Sequence, residues 1–230
     1  MTPVVLQRVS DRLQANKTLN FTAAMTAAQI QAMIDAVPKN LNGYSLTLQF
    51  ADGTYSLGAA RISVTMFFGG YVLIYGNATD NTASLTKSVV ITRTGAGQCL
   101  YMDNPLCYVE IKYIDFVNSD STTELVKFNK CYSGYVRYCA FHSFNNTSAS
   151  TWITFDSQFS YILDCVGYKG YWGIRCTIGT LTSYSCSSDA GNKPTYGLRA
   201  DSGGRIAKAD ATQPSGSTAA ESTASGGSIA

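Results

Sequence analysis

A short apolar segment recurs along this chain of 230 residues at nearly constant spacing. In most copies two apolar residues flank one other residue. The copies begin at Leu48, Ile74, Leu100, Val126, Ile153, Ile174 and Leu198, in steps of 26, 26, 26, 27, 21 and 24 residues. A second series advances in similar steps through Ile111, Val136, Ile162, Leu181 and Ile206. A repeat of this length indicates a stack of similar units, because one unit alone cannot bury its apolar face.

The alternation within each segment predicts β-strands, in which one side chain points inward and the next points outward. Two or three short strands fit within each repeat, and no room is left for crossover helices. We therefore predict an all-β fold, a single-stranded right-handed parallel β-helix (a solenoid) with a short N-terminal capping helix. A β-propeller needs four strands per blade and is the weaker interpretation.

The ends of the chain carry two further signals. Thr26-Ala-Ala-Gln29 has the pattern of a capping box, and apolar residues follow it at helical spacing. Gly203-Gly-Arg-Ile-Ala207 recurs as Gly226-Gly-Ser-Ile-Ala230, 23 residues later. The predicted organisation is an N-terminal arm and capping helix (1–43), β-helix coils (44–210), and a polar loop with a last partial coil (211–230).

Composition limits the function classes that fit this chain. It is 45% hydrophobic and 14% charged, which permits a large core and excludes a disordered chain. A net charge of +2 gives no basic field for nucleic acid. The seven cysteines form no CxxC pair and there is one histidine, so we expect buried reduced thiols, no metal site and no cofactor.

The first residues lack the pattern of a secretory signal, and no apolar run is long enough for insertion into a membrane. We therefore expect synthesis in a cytoplasm. Asn145-Asn-Thr147 matches a glycosylation sequon, but without a secretory signal it is predicted to be a polar turn.

Two parts of the chain resemble a known family. Helix 29–37, strand 44–50 and the turn Asp52-Gly-Thr-Tyr55 together resemble the entry of pectate-lyase-like β-helix proteins from phages. Gln213-Pro-Ser-Gly-Ser and the paired Gly-Gly-x-Ile-Ala motifs are similar to the endings of phage and prophage tail proteins. The resemblance implies a tail fibre or tailspike protein of the virion, made in the bacterial cytoplasm. Some such proteins degrade the glycans that they contact, but we expect this one to be non-enzymatic. The resemblance also implies a homotrimer that contacts other tail proteins and a host-surface glycan or receptor.

A polar residue follows most of the repeated segments: Asn77, Asp103, Asn129, Asp156, Thr177 and Asp201. Acids two repeats apart would lie ~10 Å from each other, near the upper end of the range for an inverting glycosidase. Asp103, Asp156 and Asp201 are thus the alternative catalytic acids of a polysaccharide depolymerase, a glycoside hydrolase or lyase. Neutral residues alternate with them, however, which also avoids like charges on adjacent strands. Since pectate lyase and polygalacturonase signatures are not visible, we favour a structural ladder and assign no catalytic residue.

The segment Gly167-Tyr-Lys-Gly-Tyr-Trp-Gly173 is the best binding candidate, because its glycines would allow a loop to protrude. We predict carbohydrate binding by Tyr168, Tyr171, Trp172 and Tyr161, and Trp152 and Tyr135 could extend this surface. Packing at a subunit interface or inside the coil are the alternatives, since Tyr and Trp are common there too.

Charged residues offer weaker candidates. Lys112 and Arg137 fall at equivalent outward positions, with Glu110 and Asp115 near them in sequence. They could bind an acidic sugar or form a solvated charge network. His142 has no evident acidic or nucleophilic partner. We therefore expect a histidine without a catalytic role, either packed against its neighbours or exposed.

Overall fold

The structure is a computed structural model that describes residues 11–119, 123–144 and 150–230. This part of the chain is mostly β-structure, with one α-helix, α1 (Ala27–Asp35). The strands are β1 (Lys17–Phe21), β2 (Ser45–Phe50), β3 (Gly53–Ser56), β4 (Ile62–Thr65), β5 (Phe68–Tyr75), β6 (Val89–Arg93), β7 (Leu100–Asp103), β8 (Leu106–Lys112), β9 (Asp115–Asn118), β10 (Glu124–Arg137), β11 (Ala140–Ser143), β12 (Thr151–Leu163), β13 (Val166–Tyr168), β14 (Trp172–Tyr184), β15 (Ser187–Ser188), β16 (Tyr196–Ala200), β17 (Arg205–Lys208), β18 (Ala219–Thr223) and β19 (Ser228–Ile229). The sequon at 145–147 lies outside the described residues.

The strands pair in parallel and form two sheets, of thirteen and six strands. The larger sheet contains two columns of strands. Column 1 is β4, β7, the first halves of β10, β12 and β14, then β16 and β18. Column 2 is β1, β2, β5, β8, the second halves of β10, β12 and β14, then β17 and β19. The smaller sheet, β3-β6-β9-β11-β13-β15, is column 3, and the central repeats pass through columns 1, 2 and 3 in turn.

Apolar residues of successive repeats lie over one another in column 1. Leu100 pairs with Val126 and Val126 with Ile153, and the series continues through Ile174 and Leu198. All five side chains are buried. The predicted vertical stacking of these positions is therefore confirmed.

The first two members of that predicted series were assigned wrongly. Leu48 and Ile74 pair with each other in column 2, and Ile74 then pairs with Ile111. Leu100 instead has Ile62 as its neighbour in column 1. The reason is the long loop at residues 77–88 between β5 and β6, which lengthens one repeat and shifts the apparent period.

The second predicted series is confirmed from Ile111 through Val136 to Ile162. Its next member, Leu181, pairs with Ser160 rather than with Ile162, because the register between β12 and β14 shifts at a bulge. Leu181 and Ile206 are in register as predicted.

Helix α1 covers one end of the sheets. Thr26 and Gln29 form the predicted capping box, and Ile30 and Ile34 are fully buried. The side chain of Gln31 accepts from the Ser63 N–H at 2.8 Å and donates to the Ser63 carbonyl at 3.0 Å. It thereby satisfies both backbone groups of Ser63 at the edge of β4, which would otherwise be open to another strand. Strand β1 precedes the helix and pairs with β2, so the sheet begins within the segment predicted as the arm.

The core narrows toward the other end. One inward row of column 1 runs through the buried residues Phe128, Phe155, Cys176 and Ala200. The two Gly-Gly-x-Ile-Ala motifs are in register as predicted, since Ile206 pairs with Ile229. Successive repeats therefore bury smaller side chains as this end is approached.

Candidate functional site

Four tyrosines form a line on the outward side of column 2. Tyr71, Tyr108, Tyr135 and Tyr161 lie on β5, β8, β10 and β12, and we call this row the tyrosine ladder. Successive ring centroids are 6.0, 6.3 and 6.3 Å apart. Tyr71 is 50% exposed and Tyr161 is 48% exposed.

The strand period explains why these rings point outward. On all four strands the ladder tyrosine is followed by a fully buried residue: Val72, Val109, Val136 and Ile162. Because successive side chains on a strand point to opposite faces, burial of one residue exposes its neighbour. Four adjacent strands hold the ladder, so its rings sit on the rigid part of the fold rather than on a loop.

Further apolar side chains are exposed beside the ladder, near the turn between columns 1 and 2. They are Phe68, Leu106, Tyr132, Phe159 and Ile178, which we call the apolar ridge. Two shallow grooves lie along it, one of about 210 Å³ between Leu106, Tyr132 and Ile178 and one of about 400 Å³ between Tyr71 and Tyr132. Exposed apolar surfaces of this extent mark interaction sites more often than chance.

The charges on this face are paired. The Tyr75 hydroxyl donates to Glu110, and Lys112 Nζ lies 2.5 Å from Glu110 Oε1. Burial and the neighbouring Glu110 both raise the pKa of Tyr75. Arg137 is in register with Lys112, as predicted, but it binds Asp164 at 3.0 Å. Each cation is thus matched by a carboxylate, which is the arrangement of a charge network.

The four predicted carbohydrate-binding residues do not form one surface. Tyr171 and Trp172 contact each other with ring centroids 5.0 Å apart, in column 1. Tyr168 lies in column 3, beside His142 at 5.7 Å. Tyr161 is the last ring of the tyrosine ladder in column 2, next to Tyr135.

The prediction that Trp152 extends a binding surface was wrong, because its side chain is only 1% exposed. The glycines around it serve this burial. A Cβ at Gly167 would lie 2.3 Å from ring carbons of Trp152, and one at Gly173 would lie 3.0 Å from the ring. These glycines therefore make room for the indole rather than allow a loop to protrude.

The predicted polar column is present in part. Asp103, Asn129 and Asp156 are in register, and the Asn129 amide donates to Asp103 at 2.8 Å. Asn77 lies elsewhere and donates to Asp52 at 2.9 Å, so its assignment to this column was wrong. The Asp103–Asn129 contact is that of a structural ladder.

The remaining two acids have different surroundings. Asp156 borders the 210 Å³ groove of the apolar ridge. Asp201 is buried and binds both Arg175 and Arg199, at 3.1 and 3.2 Å. The structure therefore does not bring Asp201 together with Asp156 in one groove.

His142 does have an acidic neighbour, contrary to the prediction. Its Nε2 lies 3.9 Å from Oδ1 of Asp115, and neither atom has a hydrogen-bond partner among the described residues. Asp115 begins β9 in column 3, so it is not grouped with Glu110 at the ladder. Burial raises the pKa of Asp115 to about 7, with Lys87 opposing the shift, and burial lowers the pKa of His142.

Sequence reasoning missed the ladder as a unit, although it named Tyr135 and Tyr161. The steps from Tyr71 to Tyr108, Tyr135 and Tyr161 are 37, 27 and 26 residues. The last two match the repeat and could have revealed the row. The first does not, because the loop at residues 77–88 lies between them.

Comparison with known proteins returned nothing: the chain matches no protein-family model, no curated protein and no solved structure. In the described residues no helix is long and apolar enough to cross a membrane. Within the same residues, no group of three or more His, Cys, Asp or Glu side chains is placed to hold a metal ion.

Proposed function

We propose that the three columns are the faces of one single-stranded right-handed parallel β-helix. Three features support this: the central repeats pass through columns 1, 2 and 3 in turn, inward positions are apolar, and helix α1 covers one end. The first two features are expected of a solenoid in which each repeat covers the apolar surface of its neighbour.

We propose that this β-helix is the receptor-recognising body of a phage tail fibre or tailspike protein of the virion. In this proposal it binds a host-surface glycan without catalysing a reaction. The observation that carries the proposal is the tyrosine ladder. Exposed aromatic rings present an apolar face to the C–H surface of a sugar and a hydroxyl to its polar groups. The resemblance of the entry and of the C-terminal motifs to tail proteins supports the viral part.

A glycan array of bacterial surface polysaccharides tests this function, followed by titration of the best ligand. Tyr135→Ala and Tyr161→Ala should each weaken binding about twofold to tenfold, since one aromatic contact is worth about 0.5–1.5 kcal/mol. Tyr101→Ala is the matched control, because Tyr101 lies in column 1. The absence of any bound glycan, or an equal loss in Tyr101→Ala, would contradict the proposal.

We also propose that the chain assembles as a homotrimer and contacts other tail proteins. The apolar ridge supports this part, because a stable interface needs a desolvated apolar centre. Light scattering should give the mass of three chains for the parent protein and a lower mass for Leu106→Asp. A parent protein that stays monomeric at all concentrations contradicts this assembly.

Depolymerase activity is the second candidate function. Asp156 favours it, because this carboxylic acid borders the groove of about 210 Å³ on the apolar ridge. The test is hydrolysis or β-elimination on a panel of bacterial capsules. Product formation that is lost in Asp156→Ala with the fold intact would replace the non-enzymatic proposal. If no capsule on the panel is degraded, the result supports the non-enzymatic proposal.

A further inference from the structure

A second cluster of aromatic and cationic side chains lies in column 1, away from the tyrosine ladder. The guanidinium carbons of Arg175 and Arg199 lie 4.7 and 5.5 Å from the Trp172 ring. Arg175 and Arg199 are in register on the adjacent strands β14 and β16. Two like charges on neighbouring strands repel each other, so this arrangement needs a compensating anion.

One carboxylate supplies only part of that compensation. Asp201 Oδ2 accepts from Arg175 Nε and Nη2, at 3.2 and 3.1 Å, and from Arg199 Nε at 3.2 Å. Arg199 Nη1 donates to Ser222 at 2.5 Å. Two cations therefore share one anion, and the cluster keeps a net positive charge. The hydrogen bonds of the described residues leave Nη1 of Arg175 and Nη2 of Arg199 without a partner.

The cluster is accessible and has aromatic neighbours. The side chains of Arg175 and Arg199 are 25% and 18% exposed. The Tyr171 ring lies 5.0 Å from Trp172 and 5.4 Å from Tyr196. The two guanidinium groups thus lie against Trp172, and the rings of Tyr171 and Tyr196 continue the aromatic surface from Trp172.

We infer that this cluster binds a carboxylate-bearing sugar residue, such as a uronic acid, within a glycan. The two guanidinium groups hold its carboxylate, because a fixed fork of N–H donors matches carboxylate geometry. Tyr171 and Tyr196 contact the sugar ring. This inference rests on the proposed glycan binding and adds a preference for acidic glycans at a second site.

The experiment compares two probes of equal length, tetragalacturonate and its methyl ester, by titration calorimetry. The parent protein should bind the acid about tenfold more tightly than the ester, because charge-assisted hydrogen bonds are the stronger ones. Added salt should reduce this preference. Arg199→Gln should remove the preference, whereas Tyr196→Ala should weaken both probes equally.

Arg137→Gln is the matched control, since Arg137 also binds one carboxylate but lies in column 2. Thermal unfolding of each variant shows whether the fold is intact. Equal binding of acid and ester by the parent, a preference retained in Arg199→Gln, or no uronate binding would each overturn the inference. In each of these cases the proposed glycan binding at the tyrosine ladder is tested separately. It would still be supported if neutral glycans bind the parent protein and bind Tyr135→Ala more weakly.

Discussion

Lys208 Nζ lies 2.6 Å from Glu221 Oε1, and both residues occupy positions that are apolar in earlier repeats. Glu221 is in register with Leu198 in column 1. Lys208 is in register with Ser183, which is itself in register with Ile162 in column 2. At this end, two inward rows that are apolar in earlier repeats thus carry Lys208 and Glu221, which form an ion pair with each other. The pair gives this end of the core a polar surface, which disfavours stacking of another apolar layer on it.

Replacing this pair should therefore promote association. In the double variant Lys208→Leu/Glu221→Leu, two apolar side chains would become exposed at the end of the core. We expect self-association to strengthen about tenfold or more, because each buried leucine contributes roughly 1.5–3 kcal/mol. Sedimentation velocity over a concentration series measures it.

The control for this variant is Lys39→Leu/Asp35→Leu, which removes another ion pair, at the helix, with its charged atoms 3.8 Å apart. It should leave the parent's association unchanged. An unchanged sedimentation profile for Lys208→Leu/Glu221→Leu would show that the polar end does not limit stacking.

A methyl group at Gly167 should destabilise the fold. In Gly167→Ala the new Cβ would lie 2.3 Å from the buried indole of Trp152, so the ring or the backbone must move. We expect a loss of about 1–3 kcal/mol in the free energy of unfolding, measured by urea denaturation. Gly191→Ala should change it by less than about 0.5 kcal/mol, because its Cβ would meet only Asp189 at 3.7 Å. Equal stability of the two variants would argue against the tight packing of Trp152.

Stability should depend on pH through Asp115. Its pKa is raised from 3.8 to about 7 by burial, so the folded protein holds a proton that the unfolded chain releases. This stabilisation is fully present below pH 3.8, declines as pH rises, and is lost above about 7. Between pH 5 and pH 8 the parent should lose about 2 kcal/mol more than Asp115→Asn.

Urea denaturation at the two pH values measures this difference. Asp210→Asn is the control. Hydrogen bonds from Ser185 lower the pKa of Asp210, so the contribution of Asp210 to stability is lost only in acid and should not change between pH 5 and pH 8. The pKa of His142 is also lowered, so any effect of its titration on stability falls at acidic pH. Parallel stability curves for the parent and Asp115→Asn would contradict the buried, protonated carboxyl.

The cysteines should be unreactive in the folded protein. All seven are free and buried, and burial raises the pKa of Cys99 to about 12 and of Cys176 to about 11. The thiolate is the reactive form, so Ellman's reagent should modify native protein at least about a hundredfold more slowly than protein in urea. Rapid modification of native protein would indicate that the core opens readily.

The stacking in the central repeats could be predicted from the sequence because inward side chains must alternate and recur once per repeat. Leu100, Val126 and Ile153 follow that rule without interruption. Leu48 and Ile74 could not be placed by spacing. The loop at residues 77–88 lengthens the chain between Ile74 in column 2 and Leu100 in column 1, so that their interval equals that of one repeat. A loop of arbitrary length changes the sequence interval but not the register.

The candidate site was harder to predict, because exposure depends on what lies above and below a residue in the stack. Trp152 and Trp172 both lie at the start of a strand in column 1, yet only Trp152 is enclosed by glycines from a later part of the chain. The contact of His142 with Asp115 depends on how the adjacent strands β9 and β11 pair in column 3, where Ala140 is in register with Asp115.

A crystal structure tests the central claim, that equivalent positions of successive repeats lie over one another in columns which close into one β-helix. It should show Leu100, Val126 and Ile153 on neighbouring parallel strands about 4.8 Å apart, with the four tyrosines of the ladder in one outward row. Strands that pair out of this register, or columns 2 and 3 that diverge without enclosing a common core, would contradict it.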